Sequence, residues 1–190
     1  MCDNDISVQN ANIGGNFAGR DYNLNNSLNI NNAYERSAYL QNLYEKVQRE
    51  ISENKKLREF CEDFNYINSD KDVIGLEEKL KNGSRENLID WAKEAKERFH
   101  KKLFKHTQLS FSAQQINAYI LSNIKRTFIE EIYVQICNNV PQEQINTLIT
   151  ERIIKPIKAE LGINLFQYND ADIQGMIYFL TGNCHIKWSS

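Results

Sequence analysis

The sequence predicts a mainly α protein, a helical domain of about six or seven helices with a short N-terminal β segment. Two observations carry this. Apolar residues alternate with period two as far as about residue 32 and then recur every three or four positions to the end of the chain. Proline, glycine and serine also fall where such stripes break, which is where helices start and stop.

The first stretch, Asp5 to Asn32, stands apart in composition, with Asn at ten of the first 32 positions. Its apolar residues sit on even positions at Ile6 and Val8, on odd positions at Ile13 and Phe17, and on even ones again at Tyr22, Leu24, Leu28 and Ile30. Alternation is the period of a strand with one buried face, and each change of phase falls near Asn10-Ala11-Asn12 or Ala18-Gly19. The pattern reads as three short strands sharing one apolar row. Such a small sheet is marginal in water by itself. The eight residues are therefore expected to pack on copies of themselves, as the interface of a trimer or dimer. The chain divides into 1–32, an oligomerising Asn/Gly-rich β segment, and 33–190, an all-helical interaction domain with an extended tail.

In the helical part, Leu40, Leu43, Tyr44, Val47 and Ile51 trace the first stripe. A second helix from about Lys55 should bury Leu57, Phe60, Cys61 and Phe64 and dissolve over Asn65–Asp70. Val73, Leu76 and Leu80 mark a short helix stopped by Asn82-Gly83. Ser84 reads as the N-cap of the next, which carries Leu88, Trp91, Ala95, Phe99 and Leu103. Ser112 is expected to cap the longest apolar helix, about Ala113 to Cys137, with the stripe Ile116, Tyr119, Ile120, Ile124, Phe128, Ile132 and Ile136, widened by Ile129 and Tyr133. Pro141 opens a helix holding Ile145, Leu148, Ile149 and Ile153, which Pro156 should kink or end. One more turn, Ile157 to Leu161, closes at Gly162. The last helix starts near Asn169 or Asp170, carries Ile173, Ile177 and Leu180, and stops at Gly182. The tail Asn183–Trp188 should be extended, with Trp188 packed against the Ala113–Cys137 stripe and Cys184 buried beside it.

Composition narrows the function classes. At 25% charged residues and a net charge of −2, the chain is no general polyanion binder, and nucleic acid is not an expected partner. No run of 18 apolar residues is present, and the opening residues have no secretory pattern, so no membrane span and a cytoplasmic location are expected. The four cysteines, Cys2, Cys61, Cys137 and Cys184, are at least 46 residues apart and read as reduced, mostly buried thiols.

Each possible chemical signature has a plainer reading. Gly14 to Asp21 has Walker A glycine spacing but puts Arg20 and Asp21 where Lys and Ser or Thr are required, so it reads as a turn between strands. Cys184 and His185 are adjacent on an extended segment, point to opposite faces and read as a buried thiol beside a hydrogen-bonded histidine. Arg98, Lys101, Lys102 and Lys105 form a basic strip ending at His106, a solvated helix end or a docking site for phosphate or an acidic partner. Glu77-Glu78, Glu130-Glu131 and Asp170/Asp172 read as exposed charges, the aspartates favouring a helix start. No nucleophile elbow or zinc-protease motif occurs, and neither an enzyme nor a cofactor is expected.

Two stretches carry a family resemblance. Gly14-Gly15-Asn16 with Ala18-Gly19-Arg20-Asp21 resembles the G-N-x-A-G-R-D type tract that precedes interaction regions in bacterial conflict proteins. Tyr178-Phe179-Leu180-Thr181-Gly182-Asn183-Cys184-His185-Ile186-Lys187-Trp188 resembles the C-terminal ending of helical domains from ABC-three-component systems. With the helical body, the resemblance covers residues 33–188. It implies a domain that couples an effector to a middle component and an ABC ATPase. An effector domain usually precedes such a domain; with only the short Asn-rich segment in front here, no nuclease or protease activity is expected. The expectation is an adaptor. The alternative is a sensor that holds a nucleotide or nucleic acid between the glycine tract and the basic strip.

Overall fold

The structure, a computed structural model, describes residues 38–53, 57, 59–69, 74–162, 164–183 and 185–189. The strands expected over 5–32, with Ile6, Val8, Ile13, Phe17, Tyr22, Leu24, Leu28 and Ile30, lie outside the described residues. By contacts the chain divides into Met1–Tyr39 and Leu40–Ser190, and the second unit holds nearly all of the described residues. No strand occurs among the described residues.

Seven continuous helices occur among them. These are α1 (38–52), α2 (Glu62–Asn68), α3 (Leu76–Asn82), α4 (Ile89–Thr107), α5 (111–137), α6 (142–161) and α7 (Asp170–Gly182). Two of them change form midway. α5 is α-helical over Phe111–Thr127, π-helical over Phe128–Tyr133 and α-helical again over Val134–Cys137. α6 runs Gln142–Ile149, Thr150–Ile154 as a π-helix, then Lys155–Leu161.

α7 is the central helix. Ile173, Met176, Ile177, Phe179 and Leu180 are buried on all its sides, as expected of a helix enclosed by neighbours. Its broadest packing is against α4, and Gly175 makes that possible: a Cβ there would collide with the Ala95 carbonyl and the Phe99 Cβ. α4 buries Ala92, Ala95, Phe99 and Leu103 towards this contact. α5 adds Ile116, Ile120, Leu121, Ile124, Phe128 and Ile132, and α1 adds Leu40, Leu43, Tyr44 and Val47.

Buried polar groups cross-link the helices and specify their register. Tyr168 donates to Asn117 Oδ1 at 2.8 Å, and Asn117 Nδ2 donates to the Ala113 carbonyl at 2.8 Å. Tyr44 donates to the Leu161 carbonyl at 3.2 Å, and burial pushes its phenol up to about 12.

Several boundaries differ from the sequence expectation. α2 begins at Glu62, not near Lys55, because the preceding backbone is bonded elsewhere. Leu57 N donates to the Gln108 carbonyl at 3.0 Å and Cys61 N to Gln114 Oε1 at 2.7 Å, leaving Cys61 extended and Leu57 exposed. Ser84 does not cap α4. It has φ of +55° and follows the Asn82-Gly83 end of α3, with a 3₁₀ turn at Glu86–Leu88 before α4. α5 starts at Phe111, capped by Ser110, whose side chain accepts from Ala113 N at 2.9 Å. Ser112 lies inside the first turn and hydrogen-bonds Glu50.

Pro156 neither ends nor interrupts α6. The π-turn just before it shifts the hydrogen-bond register, and proline then occupies the first turn of the next α segment, where a missing N–H is tolerated. Gly162 ends α6 at φ of +53°, as the spacing predicts. Trp91, Ile129 and Cys137 are exposed rather than buried, since the stripes turn away from the core at the start of α4 and along the second half of α5.

Candidate functional site

The residues with most to explain are the C-terminal tail and the charged strip of α4, which pack on different sides of α7. α7 begins with a reciprocal cap: Asn169 Oδ1 accepts from Asp172 N at 3.0 Å, and Asp172 Oδ2 accepts from Asn169 N at 2.8 Å. Asp172, expected from the sequence to be exposed, is fully buried. Its burial is possible because two cations of the strip reach it. Arg98 Nε donates to Oδ1 at 3.1 Å and Lys102 Nζ to Oδ2 at 2.6 Å. Lys102 also donates to the Gln167 carbonyl at 2.9 Å.

The strip is thus not one uniform patch. Arg98 and Lys102 neutralise a buried carboxylate, Lys101 pairs with Glu97 at 3.2 Å, and Lys105 is exposed. His106 packs its ring 5.0 Å from that of Phe166. Burial, with Lys105 and Lys102 nearby, holds its imidazole below the ordinary histidine value.

At the other end of α7 the chain turns back. Asn183 N donates to the Phe179 carbonyl at 3.0 Å and His185 N to the Leu180 carbonyl at 2.8 Å. Asn183 Nδ2 then reaches the Ile67 carbonyl of α2 at 3.3 Å. His185 lies 3.1 Å from the same carbonyl through Nε2, and 3.4 Å from Lys125 Nζ through Nδ1. A carbonyl only accepts and an ammonium only donates, so these two contacts fit a ring that carries its proton on Nε2. The hydrogen-bonded histidine read from the sequence is therefore present; Cys184 lies outside the described residues.

Trp188 closes the structure. It is 2% exposed and donates from Nε1 to Thr181 Oγ1 at 3.0 Å. Its ring meets Phe128 of α5 edge-on with centroids 4.9 Å apart, so the expected contact with the α5 stripe is made. Tyr178 lies 6.4 Å away on another side, and the Arg85 guanidinium stacks 4.6 Å from the indole centroid. Gly83 lies beneath: a Cβ there would come within 2.6 Å of the Trp188 carbonyl oxygen. Lys79, on the same helix as the Gly83 turn, donates to the Thr181 carbonyl at 2.8 Å.

A cleft of about 350 Å³ opens beside this lock, with Arg85 and Trp188 in its walls. Among the described residues, no group of three His, Cys, Asp or Glu side chains is arranged to hold a metal ion. Nor is any helix of the described residues long and apolar enough to cross a membrane.

A family model described as C-terminal domain 9 of the ABC-three component (ABC-3C) systems matches residues 75–188, well over half the chain. The chain belongs to this family. The two ends of the matched ABC-3C segment meet in space, since Gly83 and Lys79 near its start hold Trp188 and Thr181 near its finish. The ABC-3C domain also relies on helices ahead of the match. α1 and α2 bring Val47, Phe64 and Ile67 into the same core, and Glu50 of α1 binds the start of α5. No curated protein and no solved structure matches the chain.

Sequence reasoning missed Asp172 and Arg85. A signal for Asp172 was present, because Asn169-x-x-Asp172 is the spacing of a reciprocal cap, but its contact with α4 is not local. For Arg85 there was none, since an arginine after a glycine turn is most often solvated.

Proposed function

We propose that this chain serves its ABC-3C system as a non-enzymatic adaptor, in which residues 5–32 join copies into a trimer or dimer and the helical body docks the middle component and the ABC ATPase. The observation that carries this reading is the use made of the matched segment. Its most distinctive residues, Thr181, Asn183, His185 and Trp188, are engaged in holding the fold closed, as suits a rigid platform. The alternating apolar row of the first segment supplies the motive for assembly. The alternative, a nucleotide or nucleic acid held by the basic strip, is weakened by the engagement of Arg98 and Lys102 with Asp172.

Light scattering tests the proposal. The full chain should be a dimer or trimer, and a chain beginning at Ala33 a monomer. The pair Tyr22→Asp and Leu24→Asp in the full chain should shift it towards monomer with nearly unchanged helical content. Monomers from both lengths at high micromolar concentration overturn the assembly reading.

A further inference from the structure

A second cavity, of about 160 Å³, lies between the start of α4, α6, α7 and the tail. Its wall residues and their neighbours along the chain are all among the described residues. Trp91 and Trp188 give it aromatic walls, and Leu88, Ile149 and Ile177 give it apolar ones. No wall residue carries a charge. The space matches one six-membered ring, since a cavity of about 150 Å³ holds benzene. Indole walls favour a flat aromatic guest, and a charge among neutral groups would be costly to bury.

The polar walls decide what that ring carries. Gln174 Oε1 accepts from Trp91 Nε1 at 3.1 Å, and Asn146 Oδ1 accepts from Arg85 Nη1 at 3.2 Å. Indole and guanidinium nitrogens only donate. Both amides are therefore fixed with their oxygens engaged, and what each has left to offer is N–H. Tyr178, also in the wall, is 8% exposed, and among the described residues its hydroxyl has no hydrogen-bond partner. No side-chain oxygen or nitrogen of the described residues is both sealed off and unpartnered, so this hydroxyl meets open space, and Tyr178 lines this cavity. Burial raises the phenol above its ordinary value against the opposing pull of Arg85, so it stays protonated and donates. The groups left over around the cavity are thus donors, and they call for an acceptor.

We infer that the cavity between Trp91, Gln174, Tyr178 and Trp188 binds an uncharged single-ring aromatic group with an acceptor oxygen on its edge, a phenol in the simplest case. The phenol is either a tyrosine side chain of a partner or a free small molecule. This goes beyond the adaptor reading and does not depend on it.

Three probes test it on the full chain: p-cresol, toluene and N-acetyl-tyrosinamide. p-Cresol is the tyrosine side chain, toluene the same ring without the oxygen, and N-acetyl-tyrosinamide the same phenol on a peptide backbone. The readout is the indole N–H resonances of Trp91 and Trp188, with the Ser112 backbone N–H, outside the walls, as control. p-Cresol should shift both indoles saturably and leave Ser112 in place. It should also bind about threefold more tightly than toluene. A purely apolar cavity gives the reverse order, because the hydroxyl would lose its water without replacement. Tighter binding of N-acetyl-tyrosinamide than of p-cresol identifies a partner's tyrosine, and weaker binding a free phenol. Tyr178→Phe removes a hydroxyl with no partner in the fold, so the variant should melt at the wild-type temperature. It should lose about fivefold in affinity for p-cresol and keep its affinity for toluene. No saturable indole shift with p-cresol, an equal shift of Ser112, toluene bound as tightly as p-cresol, or p-cresol affinity unchanged in Tyr178→Phe would each overturn the inference.

Discussion

Trp188 stands edge-on to Phe128, with their ring centroids 4.9 Å apart and their planes at 73°. This contact joins the tail to the first residue of the π-helical stretch of α5. It ties down a segment that would otherwise fray. Replacing Trp188 by Ala should cost about 3–5 kcal/mol, the usual range for a buried tryptophan. For a domain of this size that lowers the melting temperature by about 10 °C. Removal of residues 183–190 should do at least as much or leave the protein insoluble. An unchanged melting temperature with lost partner binding would make the tail a docking peptide instead.

Gly83→Ala tests the same lock without touching the indole. The added methyl would lie 2.7 Å from the Trp188 Cβ, so the tail must move. The expected result is a red-shifted tryptophan emission and a lower melting temperature. Gly75→Ala, where a Cβ would meet nothing within 4 Å, is the control.

Asp172→Ala removes a buried carboxylate, the reciprocal cap of α7 and the shared partner of Arg98 and Lys102. Breaking a buried ion pair costs about 3–5 kcal/mol, but both cations keep part of their surface in water, so about 2–3 kcal/mol is expected. Asp172→Asn, whose side chain still accepts from Asn169 N, should fall between Ala and wild type in chemical denaturation.

The fold should lose stability on acidification through two groups. His106 is held below its ordinary value by burial first and by Lys105 and Lys102 next. A depressed pKa stabilises above the unfolded value, near 6.5, and that contribution is lost as pH falls through the folded value. Burial alone would raise the Glu50 carboxyl, but hydrogen bonds from Ser110, Ser112 and the Phe111 backbone outweigh it, and the net shift is downward. Its contribution is present above the ordinary value of 4.5 and disappears as pH falls below it. Denaturation across pH should show two steps. His106→Phe should remove the one that sets in below 6.5 and Glu50→Gln the one that sets in below 4.5.

Lys101, Lys102 and Lys105 should contribute little to nucleic-acid binding, because Lys102 serves Asp172 and Lys101 pairs with Glu97. Sub-micromolar affinity for DNA at physiological salt, lost on changing the three to Glu, would contradict this.

Helices and their buried faces were legible wherever the signal is local. The stripes of α1 and α5, the Gly162 stop and the start of α7 near Asn169 follow from residues within a few positions of one another. They fail where a distant group competes for the backbone. Gln114 takes the Cys61 N–H and delays α2. Glu50 and Ser110 place the start of α5 at Phe111, ahead of where a Ser112 cap would put it.

By itself, the sequence determined that the described residues fold as helices, that the tail after α7 is too apolar to stay in water, and which family the chain resembles, because periodicity, capping and short motifs are properties of neighbouring residues. Only the tertiary structure decided what each charge does. Arg98 and Lys102 form ion pairs because α7 brings Asp172 against α4. Arg85 lies against the Trp188 indole rather than in solvent because the Gly83 turn brings it there. The electrostatic environment of a side chain is set by groups far away in sequence, and folding alone brings them together.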